Sequence, residues 1–170
     1  MQKRAKLNSE PSGERDVNAK QFISSNRRAR HEFEILKSYE CGIVLAGTEV
    51  KSLRLGRIDF RDSFCKVENG EMWLYNMYIS PYEQGNRYNL ETRRKRKLLL
   101  HKREINQIQA EVEQKGLTIV PLSLFFQRGF AKLELAIARG KKLYDKRESI
   151  AERDRQREEL RDFRGSGRED

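Results

Sequence analysis

Apolar and polar residues follow different rhythms along this chain, and each rhythm predicts an element. Phe33 and Ile35 alternate with Glu32 and Glu34, the period of a half-buried strand. Residues 42–47 form a short apolar run bounded by Gly42 and Gly47. Val50 and Leu53 stand three apart, which predicts a helical turn or short helix that stops at Gly56. Residues 63–67 and 71–75 are strand-like and flank Glu68-Asn69-Gly70. Asn-Gly supplies positive φ at both central positions of a type I′ turn, so this is the clearest hairpin. Strand character continues through Tyr78 and Ile79 until Pro81, and residues 83–96 are polar without a period and read as a long loop. Ile105, Ile108 and Val112 share a helical face over 104–115, with Gly116 as the stop. Residues 117–126 are apolar, Leu133, Leu135 and Ile137 alternate with their neighbours, and Gln127-Arg128-Gly129 joins the two as a hairpin loop. Short strands, tight turns and one or two helices predict a mainly β fold with flanking helices, best matched by an OB-like closed β-barrel.

Both ends of the chain change character. Residues 1–20 carry Lys3, Arg4, Lys6, Glu10, Pro11, Ser12, Gly13 and Glu14 and little that is apolar, so they read as a flexible arm. The folded barrel should span 21–140. From Glu148 onward only Ile150, Ala151, Leu160 and Phe163 are apolar, so residues 141–170 form a charged tail that cannot bury a core. Arg153, Arg157, Arg161, Arg164 and Arg168 would line one face of a helix, and Asp154–Arg157 and Glu158–Arg161 pairs would support it. With no apolar face such a helix is marginal alone. The spacing fits a tail that is disordered when free and becomes helical on RNA, and it also fits a solubilising tail of paired charges.

Charge narrows the partner. Lys and Arg number 36 against 26 Asp and Glu, a formal net charge of +10. That excess favours a polyanion. No apolar run approaches the ~20 residues that span a bilayer, and the basic start is not followed by the apolar segment of a secretory signal. The expectation is a cytoplasmic protein that binds nucleic acid rather than membrane. Cys41 and Cys65 form no metal-ligand pattern with His31 and His101, and read as reduced thiols.

Three clusters carry candidate chemistry. Arg93-Arg94-Lys95-Arg96-Lys97, followed by Lys102 and Arg103, has no acid within it, and phosphates would relieve its self-repulsion. Arg27, Arg28, Arg30 and His31, on a short helix capped by Asn26, can contact phosphates or pair with Glu32, Glu34 and Glu40. Most aromatic residues belong in the core, with Tyr82 and Tyr88 the better candidates for exposed stacking. Catalysis finds little support: no phosphate loop or nucleophile pattern is present, no cofactor is implied, and only Glu49, Asp59 and Asp62 offer a candidate metal-dependent nuclease site.

Several of these stretches together resemble the SmpB, or SsrA-binding protein, family. They are Asn26-Arg27-Arg28-Ala29-Arg30-His31-Glu32, Gly47-Thr48-Glu49-Val50-Lys51-Ser52-Leu53-Arg54-Leu55-Gly56, Arg96-Lys97-Leu98-Leu99-Leu100 and Gly140-Lys141-Lys142-Leu143-Tyr144-Asp145-Lys146-Arg147. The resemblance implies an OB-like barrel that binds the tRNA-like part of tmRNA. It implies a tail that enters the empty mRNA channel of stalled ribosomes near the decoding site and becomes helical on small-subunit RNA. Elongation factor Tu and alanyl-tRNA synthetase act on the same tmRNA. Family residues linked to tmRNA fall on Asn26, Glu40, Leu99 and Lys132, with Arg30 and His31 in the first motif and Arg96 and Lys97 beside Leu99. Lys141, Lys142, Tyr144, Asp145, Lys146, Arg147, Arg153, Arg157 and Arg161 fall in the tail. Many members carry His where this chain has Tyr144, which can stack on a base but cannot become cationic.

Overall fold

The computed structural model describes residues 19–142, 147–148 and 150–158. Its elements are β1 (Gln21–Ser25), α1 (Arg27–Glu32), β2 (Phe33–Ile43), α2 (Gly47–Arg54), β3 (Ile58–Asp59), β4 (Phe64–Glu68), β5 (Glu71–Tyr75), β6 (Tyr78–Ile79), β7 (Arg96–Leu99), α3 (Lys102–Lys115), β8 (Thr118–Gln127) and β9 (Phe130–Gly140). A 3-10 turn occupies Glu83–Tyr88, within the stretch expected to be loop. The main sheet is antiparallel in the order β1–β8–β4–β5–β7–β2–β9, and β9 pairs back onto β8. β3 and β6 make a separate two-stranded ribbon.

Turn chemistry placed the elements where the sequence predicts. Asn69 and Gly70 both take positive φ between β4 and β5, and Gly116 closes α3 in the left-handed region. In both long helices a glutamate three residues in reaches back to the capping backbone: Ala46 N–H donates to Glu49 and His101 N–H to Glu104, at 2.8 and 3.0 Å. Ile105 and Ile108 of α3 join the core built from inward residues such as Met72, Leu74, Leu98, Leu133 and Leu135. Cys41 and Cys65 lie in this core as free thiols, and burial pushes Cys41 up to about 12, so neither is a reactive thiolate at neutral pH.

The Phe33/Ile35 alternation is correct, yet those side chains pack outside the main core. A register shift between Ile35 and Lys37 leaves Leu36 exposed and reverses which face the strand buries. Before it, Phe33 and Ile35 pack with Ala29 of α1, Val120, Leu122, Ala136 and Ala138. After it, Tyr39, Cys41 and Ile43 face the main core. α1 therefore sits on the outer surface of β8 and β9.

Strand β7 replaces the end of the expected loop. Its alternation is disguised, because Arg96 and Leu98 point inward while Lys97 and Leu99 point outward. Arg96 is fully buried. Its guanidinium donates to Glu49 at 2.9 Å, to the Met77 carbonyl at 2.7 Å, and to the carbonyls of Thr92 and Arg94 at 3.1 Å. Arg94 grips the same carboxylate at 3.0 and 2.5 Å. Burial raises the Glu49 pKa, but the bonds from Arg94 and the Ala46 amide and the two guanidinium charges outweigh it and hold the carboxyl below its ordinary value.

Removing one partner strands a buried charge. Glu49→Gln, which leaves the buried Arg96 guanidinium without a counter-charge, should cost about 3–5 kcal/mol in urea unfolding at neutral pH, and Arg96→Met less, because Arg94 still pairs with Glu49. Because the folded Glu49 pKa is depressed, its stabilisation is complete above the unfolded value and fades as pH falls through the folded one. Wild type should therefore lose stability on acidification more steeply than Glu49→Gln, as read by unfolding midpoints across the acid range.

Candidate nucleic-acid interface

β2, β7 and β9 bring three of the predicted residues to one place. Gly42 is in register with Leu99 of β7 on one side and with Lys132 of β9 on the other. Glu40 is two residues earlier on the same face of β2. Glu40, Gly42, Leu99 and Lys132 line a groove of about 430 Å³ that also takes in His101 and Glu104 from the start of α3. Gly42 keeps it open, since a Cβ there would lie 3.4 Å from the Leu99 side chain. Leu99 is 53% exposed, an apolar residue presented outward between an acid and a lysine.

The first motif reaches this groove through a chain of polar contacts. Glu134 pairs in register with Glu40 and takes a hydrogen bond from Ser123 at 2.8 Å. Arg30 of α1 approaches Glu134 at 3.9 Å. Lys20 pairs with Glu40 and lies over the buried Phe125 ring at 4.8 Å, so the end of the expected arm is fastened to the sheet. His31 is half-buried on α1. Asn26 has a different job. Its side-chain oxygen accepts from Ala29 N–H and its amide donates to the Pro121 carbonyl, both at 3.0 Å, so both polar ends hold α1 against β8.

The cationic run is largely neutralised from elsewhere in the fold. Arg96 is a correction to the expected RNA contacts: it lies inside the protein as the counter-charge of Glu49 and is not available to a phosphate. Arg94 shares that carboxylate. Lys95 lies 3.6 Å from Glu68, and Lys97 pairs with Glu71. Arg93 donates to the Asn76 carbonyl at 2.9 Å. A linear search for acids near the run misses Glu49, Glu68 and Glu71, because all three arrive by sheet and helix packing.

The candidate nuclease triad does not assemble. Glu49 is consumed by arginines, and Asp59 accepts from Arg61 backbone and side chain at 2.8 and 2.9 Å. Among the described residues no three metal-ligating side chains cluster. Of the aromatic candidates, Tyr88 is 66% exposed, whereas Tyr82 is half-buried and its hydroxyl bonds Gln84.

In the tail, Tyr144, Asp145, Lys146 and Arg161 lie outside the described residues. Residues 147–148 and 150–158 are helical, with Arg147, Arg153 and Arg157 exposed. The expected Asp154–Arg157 pair is present at 3.9 Å. Lys141 is tied to the body through its backbone N–H, which donates to the Glu32 carbonyl at 2.9 Å, and the Lys142 side chain is exposed.

Known proteins are similar to this chain. The SmpB protein family profile matches residues 23–165. The chain belongs to the SmpB family. An SsrA-binding protein of Carboxydothermus hydrogenoformans is 61% identical over 137 residues, covering 81% of this chain and 92% of that protein. The SsrA-binding protein of Geobacillus thermodenitrificans is 54% identical over 154 residues, covering 91% and 96%. A solved structure described as "tmRNA-SmpB: a journey to the center of the bacterial ribosome" contains a chain 59% identical, with a TM-score of 0.61 over 71% of this chain and 85% of that one. In SmpB-family terms, the groove residues that sequence reasoning missed are Gly42, His101, Glu104 and the bridging Glu134. Only the Lys132/Glu134 alternation on β9 hinted at them.

The two bonds of Asn26 can be separated. Asn26→Asp keeps the cap acceptor and loses the donor to Pro121, while Asn26→Ala loses both. The alanine variant should lose about 1 kcal/mol or slightly more, with the aspartate variant intermediate, as measured by thermal unfolding.

Proposed function

We propose that this SmpB-family chain is a non-enzymatic RNA-binding adaptor of trans-translation. It binds the tRNA-like domain of tmRNA and carries that RNA to stalled ribosomes. The observation that carries this reading is the convergence of Glu40, Leu99 and Lys132 in one groove on the outer face of the sheet, connected to α1 through Arg30 and Glu134. The groove offers a cation for phosphate, an apolar side chain for a ribose or base face, and carboxylates that accept from base amines and 2′-hydroxyls. Such mixed chemistry suits folded RNA with unstacked loops better than a uniform duplex backbone.

In this reading the pairing of β9 back onto β8 makes the sheet an OB-like closed barrel, the unit that presents the groove. The tail, from Lys141 and Lys142 through the Tyr144–Arg147 stretch to the Arg153, Arg157 and Arg161 stripe, enters the empty mRNA channel of the small subunit near the decoding site. Its helix is stabilised there by ribosomal RNA. Elongation factor Tu and alanyl-tRNA synthetase meet the protein through the same tmRNA, and the site of action is the cytoplasm.

The test is binding to the tRNA-like domain of tmRNA at moderate salt, against an equal-length unrelated structured RNA as competitor. Tight binding that resists the competitor is expected. Lys132→Ala should weaken it about tenfold, the loss of one charge-assisted contact of ~1.5 kcal/mol or more. Truncation after Gly140 should leave that binding largely intact and abolish peptide tagging. Equal affinity for both RNAs, or tagging that survives truncation, defeats the reading.

A further inference from the structure

Beside the groove, the outer surface of β4, β5 and β7 carries a second pattern. Along the β4–β5 hairpin three outward rungs face each other in register. Glu68 opposes Glu71 at the turn, Lys66 opposes Trp73 in the middle, and Phe64 opposes Tyr75 at the far end. Trp73 is in register with Lys97 on its other side. The middle of the face therefore reads Lys66, Trp73, Lys97 across three neighbouring strands. Lys95 lies over the Trp73 ring at 4.8 Å, and Arg93 over the Tyr78 ring at 5.5 Å. Phe64 and Tyr75 stack in parallel with centroids 5.1 Å apart, and Phe64 is 38% exposed. The acids gather at the hairpin end. Glu68 lies 3.8 Å from Lys66 and 3.6 Å from Lys95, and Glu71 pairs with Lys97.

We propose that this face is a stacking platform for an unpaired RNA segment, with a base on Trp73 and phosphates on Lys66, Lys95 and Lys97. Three lysines against two carboxylates give the platform a positive excess. A ring flanked by lysines in the strand-pairing direction matches a base between phosphates, as on other sheet-based single-strand binders. Lysines that sit over rings or beside glutamates are already held near the surface, and exchange those partners for phosphate without being drawn from the core. The platform also adjoins the groove, because Lys97 and Leu99 are two residues apart on the outward face of β7. An RNA held in the groove can continue across β7 onto Trp73. This inference rests on the reading of the chain as an RNA binder, but it does not require that the RNA be tmRNA.

Trp73 is the sole tryptophan of the chain, so its emission reports the platform directly. The full-length protein is titrated with an unstructured oligoadenylate of about eight nucleotides, within the site size of single-strand binders. Emission and, with labelled RNA, anisotropy are followed. Saturable quenching is expected. Trp73→Leu should weaken binding by about fivefold or more, the scale of one lost base stack, while Trp73→Phe retains most of the affinity. Lys66→Glu should weaken both signals. Flat emission, or unaltered affinity in Trp73→Leu, overturns the proposal. So does quenching by polyglutamate as strong as by RNA, which would assign the face to an acidic protein partner. Quenching by the oligomer with no preference for the tRNA-like domain would defeat the tmRNA reading and sustain this one.

Discussion

A buried carboxylate shared by two arginines sets the register on which the outer face of the sheet and its groove depend. Glu49 stands at the third position of α2, and Arg96 opens β7 with no exposed surface at all. One guanidinium ties together α2, the Met77 carbonyl after β5, the Thr92 carbonyl of the long connection, and β7 itself. Sheet side chains alternate faces, so a slip of one residue in β7 would turn Arg96 outward and Lys97 inward. Arg96 inward means Lys97 beside Trp73 and Leu99 over Gly42. A buried ion pair is weak evidence of net stability, since desolvation opposes the Coulomb gain. Here its structural effect is positional: among alternative registers, only one keeps a paired charge in the interior.

That same pair explains what the sequence conceals. Residues whose environment follows from local chemistry were legible: the Asn69-Gly70 hairpin, the Gly116 stop, the Asn26 cap, and the alternation of Leu133, Leu135 and Ile137. β7 was not, because a charged residue occupies an inward position and a leucine an outward one. β1 was also missed. Phe22 is 65% exposed and the strand is irregular at Ile23, so five residues show no steady period. The register shift in β2 is invisible for another reason: Phe33 and Ile35 before it and Tyr39 and Cys41 after it each keep a strand alternation, and only the packing of α1 decides which face the first pair serves.

The candidate site divides along the same line. Resemblance identified Glu40, Leu99 and Lys132 as separate positions in sequence, and strand pairing makes them neighbours around Gly42. Asn26 was singled out for RNA, and its visible bonds are internal, which makes it a residue that positions α1 and hence Arg30. Arg96 was grouped with four other cations because adjacency in sequence suggests a shared role. In a strand, adjacency means opposite faces. Lys97 and Arg96 are neighbours in sequence and face the exterior and the interior.

The net charge of +10 is therefore a poor guide to where phosphates bind. On the β4–β5–β7 face, Lys66, Lys95 and Lys97 already have carboxylates or an aromatic ring as partners, so an incoming phosphate would replace an existing interaction. The gain from each exchange would be small, so on the proposed reading geometry decides it: the groove and the β4–β5–β7 face would favour RNA that offers bases and riboses along with phosphates. The exposed arginines at 147, 153 and 157 share their helical stretch with Glu148, Glu152, Asp154 and Glu158, and Asp154 pairs with Arg157. The sheet and the helical tail are therefore distinct surfaces. They separate at the point where Lys141 makes its backbone bond to Glu32 and the last strand ends.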